Sequence, residues 1–361
     1  MKGTLKLGRM AGIKIEVHWT FSLLLLWVVF LDAQRGGNLF TALFNIGFVL
    51  VLFFCVVLHE LGHALTARKF QIKTHQITLL PIGGVASLEK MPEKPGQELL
   101  VALAGPAVNV VIALLLILLF PITKYLTMDQ AGIELLLKTP NFQGFIFYLF
   151  LANAMLVVFN LIPAFPMDGG RVLRALLAYK MGRVKATAIA SSLGQLLAVF
   201  FFMLGLLINP FLILIAFFIF ISAYGENKMV KQTSLLQGHT IKEAMLTKIT
   251  LLHPDNTLQE VIDVVLAGTE KDFVVMAHEQ IVGVVYHKDI IKHAHTPSIK
   301  VKEIMQASFK TLEASTDLVQ VMEMIASEKR NFFPVTDKNK FSGAIDLTNI
   351  SEFILLRTHG S

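Results

Sequence analysis

The sequence predicts a polytopic α-helical membrane protein with six transmembrane helices, followed by a soluble α/β domain at the C-terminus. Of its 361 residues, 54% are hydrophobic and only 16% are charged, which is unusual for a soluble protein. Apolar runs approaching the ~20 residues that cross a ~30 Å hydrocarbon core recur through the first two thirds of the chain. From about Asn227 charges return, and short β-branched runs alternate with helical patterns. We therefore expect a membrane domain over residues 1–226 and a soluble domain over 227–361.

Six apolar runs define the predicted spans, at residues 18–33, 42–66, 98–122, 144–162, 187–208 and 210–224. The last two are joined by a tight turn at Asn209–Pro210. Lysine and arginine are concentrated in the N-terminus and in the second and fourth connecting segments, and are sparse in the first and third. Cytoplasmic segments of membrane proteins are enriched in lysine and arginine, so the basic N-terminus is predicted to be cytoplasmic. Six spans, an even number, then place the C-terminus on the same side.

The net charge of +6 does not indicate a nucleic-acid partner, because the basic residues are scattered rather than clustered. Membrane topology explains them better, and we expect the lipid bilayer to be the surrounding partner. The single cysteine, Cys55, lies in an apolar run, so no intramolecular disulfide can form.

The C-terminal part repeats itself with a period of 60 residues. The segment "IKEAM" at 241–245 matches "VKEIM" at 301–305, and "FVV" at 273–275 matches "FPV" at 333–335. Each unit is predicted as a helix, two short strands and a helix, over residues 239–295 and 299–357. We expect the two units to pack together, because one alone cannot bury its apolar face.

The segment "HELGH" carries the first candidate chemistry. On a helix His59 and His63 lie on one face and can hold one metal ion, with Glu60 beside them. Zinc suits two imidazoles, a third protein ligand and an open position for water, from which Glu60 would take a proton. The alternative is a chance match with interfacial histidines, but ionisable groups in a span are costly and usually functional.

The third ligand is predicted to be Asp168, in "NLIPAFPMDGGR" at 160–171. Pro163 and Pro166 interrupt the helix, and irregular backbone at membrane depth is tolerated only where it lines a protein or water-filled cavity. The segment therefore suggests a carboxylate presented to a polar pocket. Alternatively, Asp168 only caps the helix that follows.

HExxH on a transmembrane helix with a later N-x-x-P-x-x-x-x-D-G resembles the site-2 protease family of intramembrane zinc metalloproteases. The resemblance implies that His59, His63 and Asp168 bind one zinc ion and that Glu60 is the catalytic base. It covers roughly residues 8–225. It also implies that a single-pass transmembrane protein is the substrate and that the setting is a prokaryotic cell membrane.

Further segments extend the resemblance to substrate binding. "GPAVN" at 105–109 is similar to the family's G-P-x-x-N segment, and "PIGGVASL" at 81–88 resembles the hairpin thought to seat the substrate strand. The implied substrate-binding residues are Asn160, Asn109, Gly83 and Gly84. For both asparagines the alternative is a hydrogen bond between helices.

The tail resembles a tandem CBS pair, which fits the subgroup of site-2 proteases with a C-terminal CBS module. Such pairs commonly bind adenine nucleotides through G-h-x-[ST]-x-x-D. Here only Asp289 fits that pattern, because Tyr286, Asp346 and Asn349 replace the other polar anchors. A packing or dimerisation module, which would make the protein a homodimer, is the alternative to nucleotide sensing.

Together these features predict an intramembrane zinc metalloprotease that cleaves single-pass transmembrane substrates and is regulated by the CBS pair. One alternative is a CBS-regulated metal or ion transporter, which would repeat its ligands along several spans. Another is a membrane scaffold that binds such proteins without cleaving them.

Overall fold

The chain is divided into two units, Met1–Val230 and Lys231–Ser361. The structure is a computed structural model, and it describes residues 3–81, 83–88, 92–129, 140–328 and 330–358.

The first unit is mainly helical. Its helices are α1 (Phe21–Gln34), α2 (Leu39–Lys69), α3 (Pro95–Leu119), α4 (Ile122–Leu126), α5 (Phe142–Asn160), α6 (Asp168–Met181), α7 (Arg183–Leu207) and α8 (Phe211–Leu236), the last of which ends in the second unit. Polar caps start two of the long apolar helices. Asn38 and Thr41 form a reciprocal capping box at α2, and Asn141 accepts a hydrogen bond from the Gly144 amide at α5.

Among the described residues five helices are long and apolar enough to cross a membrane: α2, α3, α5, α7 and α8. The membrane-protein fold class is thereby confirmed, whereas the count of six spans is not. The predicted span 18–33 is helical only from residue 21. Helix α1 has 14 residues and is therefore only about 21 Å long. His18, at the start of the predicted span, is instead the last residue of a strand, 13–18.

A four-stranded sheet packs beside α2. Its strands, in spatial order, are β1 (Thr4–Met10), β2 (Ile13–His18), β3 (Thr74–Leu80) and β4 (Gly83–Leu88). Strands β2 and β3 are parallel, and the other neighbours are antiparallel. Alternate residues such as Ile15 and Ile77 face the core and pack against Phe53, Val57 and Leu61 of α2. In the described part of the chain β4 is an edge strand, with one side of its backbone unpaired.

A buried ion cluster ties together three helices of the first unit. Arg174 of α6 is fully buried, and its Nε donates to Glu98 Oε1 of α3 at 2.7 Å. Its Nη1 donates to Glu226 Oε1 of α8 at 2.5 Å. Its guanidinium also lies 4.8 Å from the centre of the Phe165 ring. Because a buried guanidinium must be paired, this cluster fixes α6 relative to α3 and α8.

The second unit contains the two repeats. The first has β5 (Leu251–Leu252), α9 (Leu258–Ala267), β6 (Phe273–Ala277), β7 (Gln280–Val285) and α10 (His287–His293); the second has α11 (Val301–Ile304), β8 (Leu312–Glu313), α12 (Leu318–Glu328), β9 (Phe332–Asp337), β10 (Lys340–Asp346) and α13 (Leu347–Thr358). Each repeat thus has three strands rather than two. The additional strands, β5 and β8, are two residues long and pair in parallel with β6 and β9.

The repeats complete each other's cores. Ile241, from before the first repeat's strands, packs with Leu318 and Ile345 of the second. Val301, from the start of the second repeat, packs with Leu258 and other residues of the first. This exchange explains why the repeats form a pair, since neither core is complete without a segment of the other.

Candidate metal centre

Three buried side chains from α2 and α6 meet at one point. His59 Nε2 and His63 Nε2 lie 3.1 Å apart, and Asp168 Oδ2 lies 3.2 Å from the first and 3.1 Å from the second. The three residues are 6%, 3% and 6% exposed. The four-residue spacing places the histidines on one face of α2, and the chain between α5 and α6 brings the carboxylate to them.

The contacts behind the imidazoles define which nitrogen faces the cluster. His59 Nδ1 lies 3.0 Å from Asn109 Oδ1, and His63 Nδ1 lies 2.7 Å from the carbonyl oxygen of Val101. Both oxygens can only accept a hydrogen bond, so each Nδ1 carries the proton and donates it. Each neutral imidazole therefore directs the lone pair of Nε2 into the cluster.

This donor set fits zinc. Two lone pairs and a carboxylate oxygen facing each other at 3.1–3.2 Å need a cation between them. A tetrahedral zinc ion with bonds of about 2.0–2.1 Å holds its ligand atoms about 3.3–3.4 Å apart, close to these separations. The hydrogen bonds behind both histidines are the outer contacts that zinc-binding imidazoles usually make.

Gly105 of α3 leaves the space that such an ion requires. A Cβ at this position would collide with His63 Nε2 and would lie 2.7 Å from His59 Nε2. The backbone of α3 therefore approaches the nitrogen atoms as closely as a glycine allows. This close approach gives a physical reason for the glycine of the "GPAVN" segment.

Asp168 is presented by the first turn of α6, where the positive end of the helix dipole favours a carboxylate. Its two oxygens face different partners. Oδ2 faces the histidines, and Oδ1 lies 3.5 Å from Arg171 Nη1, whose side chain is 29% exposed. Arg171 therefore adds a positive charge next to the ligand carboxylate.

Glu60 lies beside the cluster, next to the sheet. Its side chain is half-buried, and β4 passes close to it. A Cβ at Gly84 would lie 2.7 Å from Glu60 Cγ and 3.1 Å from Val56 Cγ1. The edge strand thus reaches the candidate base at a position without a side chain.

The other predicted site residues lie in β4, α3 and α5. Gly83 and Gly84 begin β4, and Gly84 is the one that approaches Glu60. Asn109 is fully buried behind His59 and contacts the imidazole. Asn160 is the last residue of α5, and its side-chain amide has no hydrogen-bond partner in the described part of the chain.

In the second unit, Asp289 is already engaged. Its Oδ2 accepts a hydrogen bond from Gln306 Nε2 at 2.9 Å. Tyr286, at the position where the nucleotide signature has Ser or Thr, is 8% exposed and packs with Phe332 and other apolar residues. Asp346 accepts from the amide of Asn349 at the start of α13. Asp289 and Asp346 therefore already have hydrogen-bond partners within the second unit.

Three features of the site were not predicted. The Val101 carbonyl gives no sequence signal, because any residue has one. Arg171 and Arg174 were interpreted only as basic residues of a cytoplasmic segment, although one contacts Asp168 and the other is fully buried. The proximity of Gly105 to the imidazoles follows from helix packing, which the motif alone does not reveal.

Comparisons with known proteins identify both parts of the chain. Residues 47–204 match the model of peptidase family M50, and residues 241–296 and 301–356 each match the CBS domain. The chain is similar to a solved site-2 protease from Methanocaldococcus jannaschii, at 38% identity over 62% of this chain and 95% of that one, with a TM-score of 0.46.

Two relatives extend the similarity over nearly the whole chain. The zinc metalloprotease MJ0392 of Methanocaldococcus jannaschii is 34% identical over 97% of this chain and 96% of its own length. The putative zinc metalloprotease sll0528 of a Synechocystis species is 31% identical over 91% of this chain and 89% of its own. The chain therefore belongs to peptidase family M50: it is an integral membrane zinc metalloprotease of the site-2 protease type that carries a C-terminal pair of CBS domains.

Proposed function

We propose that this protein cleaves single-pass transmembrane proteins within the bilayer, with His59, His63 and Asp168 as zinc ligands and Glu60 as the catalytic base. One observation carries the proposal: a buried set of three ligands and an adjacent carboxylate lies where α2, long and apolar enough to span a membrane, faces α6. A hydrolase placed there reaches peptide bonds that soluble proteases cannot.

The chemistry follows from the positions of the side chains. Zinc, when bound, supplies a Lewis acid that polarises the scissile carbonyl and makes water more acidic. Asn109 and Val101 hold the imidazoles in the tautomer that leaves each Nε2 free to bind. Glu60 takes the proton of the attacking water and later gives it to the leaving amine. Asn160, whose amide has no partner among the described residues, binds the substrate backbone or the developing oxyanion.

The free edge of β4 would hold the substrate. A helical substrate hides its peptide bonds in its own hydrogen bonds and must unwind locally before water can attack. An unwound segment can add to the edge strand through backbone hydrogen bonds. Because β4 passes Glu60 at Gly84, such a segment would lie next to the base.

We further propose that both termini face the cytoplasm of a prokaryotic cell and that cleavage occurs nearer that leaflet. Histidines 59 and 63 lie in the C-terminal half of α2, which ends with Arg68 and Lys69. The CBS pair then serves as a cytoplasmic regulatory or dimerisation module. The occupied polar groups around Asp289 favour dimerisation over nucleotide sensing.

A transporter is the competing function, and the arrangement of ligands argues against it. The part of the chain that the structure describes contains one cluster of three or more potential metal ligands, formed by His59, His63 and Asp168. A transport path would need successive sites along several spans. A half-buried glutamate directly beside the ligands also serves hydrolysis, whereas passage of an ion does not require a base at that position.

Membrane proteins of cells that carry the wild type should be compared with those of cells that carry Glu60→Gln. The substitution keeps the ligands and removes the base, so a true substrate should accumulate uncut. Its soluble fragment should appear only with the wild type. If no single-pass protein accumulates while the variant is expressed, zinc-loaded and stable, the transporter or scaffold function gains support.

The ligand assignment has a separate test. Purified Asp168→Ala protein should lose most of its zinc, because two imidazoles alone bind the ion weakly. Zinc content equal to that of the wild type would remove Asp168 from the site.

A further inference from the structure

An apolar groove lies between α2 and α5 beside the end of the β3–β4 connection. Its volume is about 280 Å³, and every side chain that lines it is apolar. Its lining includes Val56 of α2, Gly83 of β4, and Ala152, Met155, Leu156 and Phe159 of α5.

The groove adjoins the candidate base. Val56 lies four residues before Glu60, so the two share one face of α2. Gly84 approaches both, since a Cβ there would lie 3.1 Å from Val56 Cγ1 and 2.7 Å from Glu60 Cγ. A chain that runs along β4 past Glu60 therefore also passes the mouth of the groove.

One wall of the groove is partly exposed in the described part of the chain. Ala152, Met155, Leu156 and Phe159 have the i, i+3, i+4, i+7 spacing of a single helix face. Met155 is 50% exposed and Phe159 is 47% exposed. This face therefore has room to contact a further apolar group.

The edge strand beside the groove favours an extended occupant. A helix satisfies its own backbone hydrogen bonds and cannot pair with the open edge of β4. An extended strand instead projects alternate side chains about 6.8 Å apart to one side. One such side chain fits the groove while the strand pairs with β4.

We propose that this groove is a specificity pocket that takes one large apolar side chain of the substrate, from a residue that flanks the scissile bond. The inference rests on the proposed function, because it uses the same edge strand and base. The glycines at 83 and 84 allow the strand to approach, and the apolar walls favour leucine, methionine or phenylalanine over alanine or a polar residue.

The test uses full-length protein in phospholipid vesicles and a single-pass substrate with Ala, Leu, Phe or Trp at each position near the cleavage site. Wild type should prefer Leu or Phe over Ala by about 10-fold to 100-fold at one position. Ala152→Phe fills the groove and should reduce that preference to about threefold or less. Met155→Ala, at a half-exposed position that tolerates truncation, enlarges the groove and should improve cleavage of the Trp substrate.

The matched control is Val158→Phe, on the same helix but 61% exposed and outside the groove. It should keep the wild-type preference. If both groove variants cleave the substrates with the wild-type preference for Leu or Phe over Ala, the groove is not a specificity pocket and lipid is its occupant. The proposed protease function would then still stand. Absence of zinc-dependent cleavage by the wild type would instead overturn the proposed function, and the pocket with it.

Discussion

The hydrogen bond between Asn109 and His59 provides a quantitative test of the metal centre. Both residues are buried, at 0% and 6% exposed, and Asn109 Oδ1 lies 3.0 Å from His59 Nδ1. Asn109→Leu keeps the approximate volume but removes the acceptor that holds the imidazole in its metal-binding tautomer. Losing an outer contact of this kind costs about 10-fold to 100-fold in metal affinity, or about 1.4–2.8 kcal/mol.

Zinc affinity of the purified protein, measured by competition with a chromogenic chelator, would provide the test. Asn109→Leu should bind zinc about 10-fold to 100-fold more weakly than the wild type. Asn109→Asp, which keeps an acceptor, should stay close to the wild type. Asn153→Leu is the matched control, because Asn153 is equally buried but its Nδ2 donates to the Leu149 carbonyl, away from the histidines. Equal affinity of Asn109→Leu and the wild type would refute the assigned role of this hydrogen bond.

Gly105→Ala places a methyl group against His59 and His63 and should abolish zinc binding, as measured by metal content after purification. Arg174→Met leaves Glu98 buried and unpaired, which should destabilise the protein by about 3–5 kcal/mol and lower its thermal unfolding temperature in detergent. Burial raises the pKa of Asp272 above its ordinary value, although its carboxylate accepts the His287 amide. Asp272→Asn should therefore stabilise the second unit by an amount that grows as the pH rises above about 4 and then levels off.

Each of these predictions has a control and an outcome that contradicts it. Gly47→Ala, where an added Cβ meets nothing within 4 Å, should keep its zinc; a zinc-loaded Gly105→Ala protein would disprove the crowding argument. Arg35→Met, at an exposed position, should leave the unfolding temperature unchanged; an equal effect of both arginine substitutions would contradict the importance of the buried cluster. A benefit of Asp272→Asn that is the same from pH 4 to pH 8 would show that charge is not its cause.

The metal ligands and the C-terminal repeat could be predicted because residue spacing and hydrophobicity determine them. Histidines four residues apart must share a helix face, so His59 and His63 could be paired from sequence. Asp168 could be proposed because a carboxylate beside Gly and Pro is rare near an apolar run. The structure brings all three together. The 60-residue repeat likewise predicted a paired α/β domain, and the CBS matches confirm it.

The remaining features depend on tertiary contacts that leave little trace in local sequence. The apolar run at 18–33 does not show where its helix begins, and the structure starts α1 at Phe21, after β2 has paired with β3. Strands β5 and β8 have two residues each, too few to show a period. From sequence, Arg174 looks like an ordinary basic residue of a connecting segment. Its burial is possible because Glu98 and Glu226 lie close enough to pair with it.

The most direct test of the central claim compares wild type with Glu60→Gln, both zinc-loaded, on a single-pass substrate in phospholipid vesicles. Because Glu60 is beside the ligands but outside their cluster, the variant should keep its zinc. Loss of the base should slow cleavage by about 10²-fold to 10⁴-fold. Equal zinc content with a strongly reduced rate is the predicted result. Cleavage at the wild-type rate by zinc-loaded Glu60→Gln protein would contradict the assignment of Glu60 as the catalytic base.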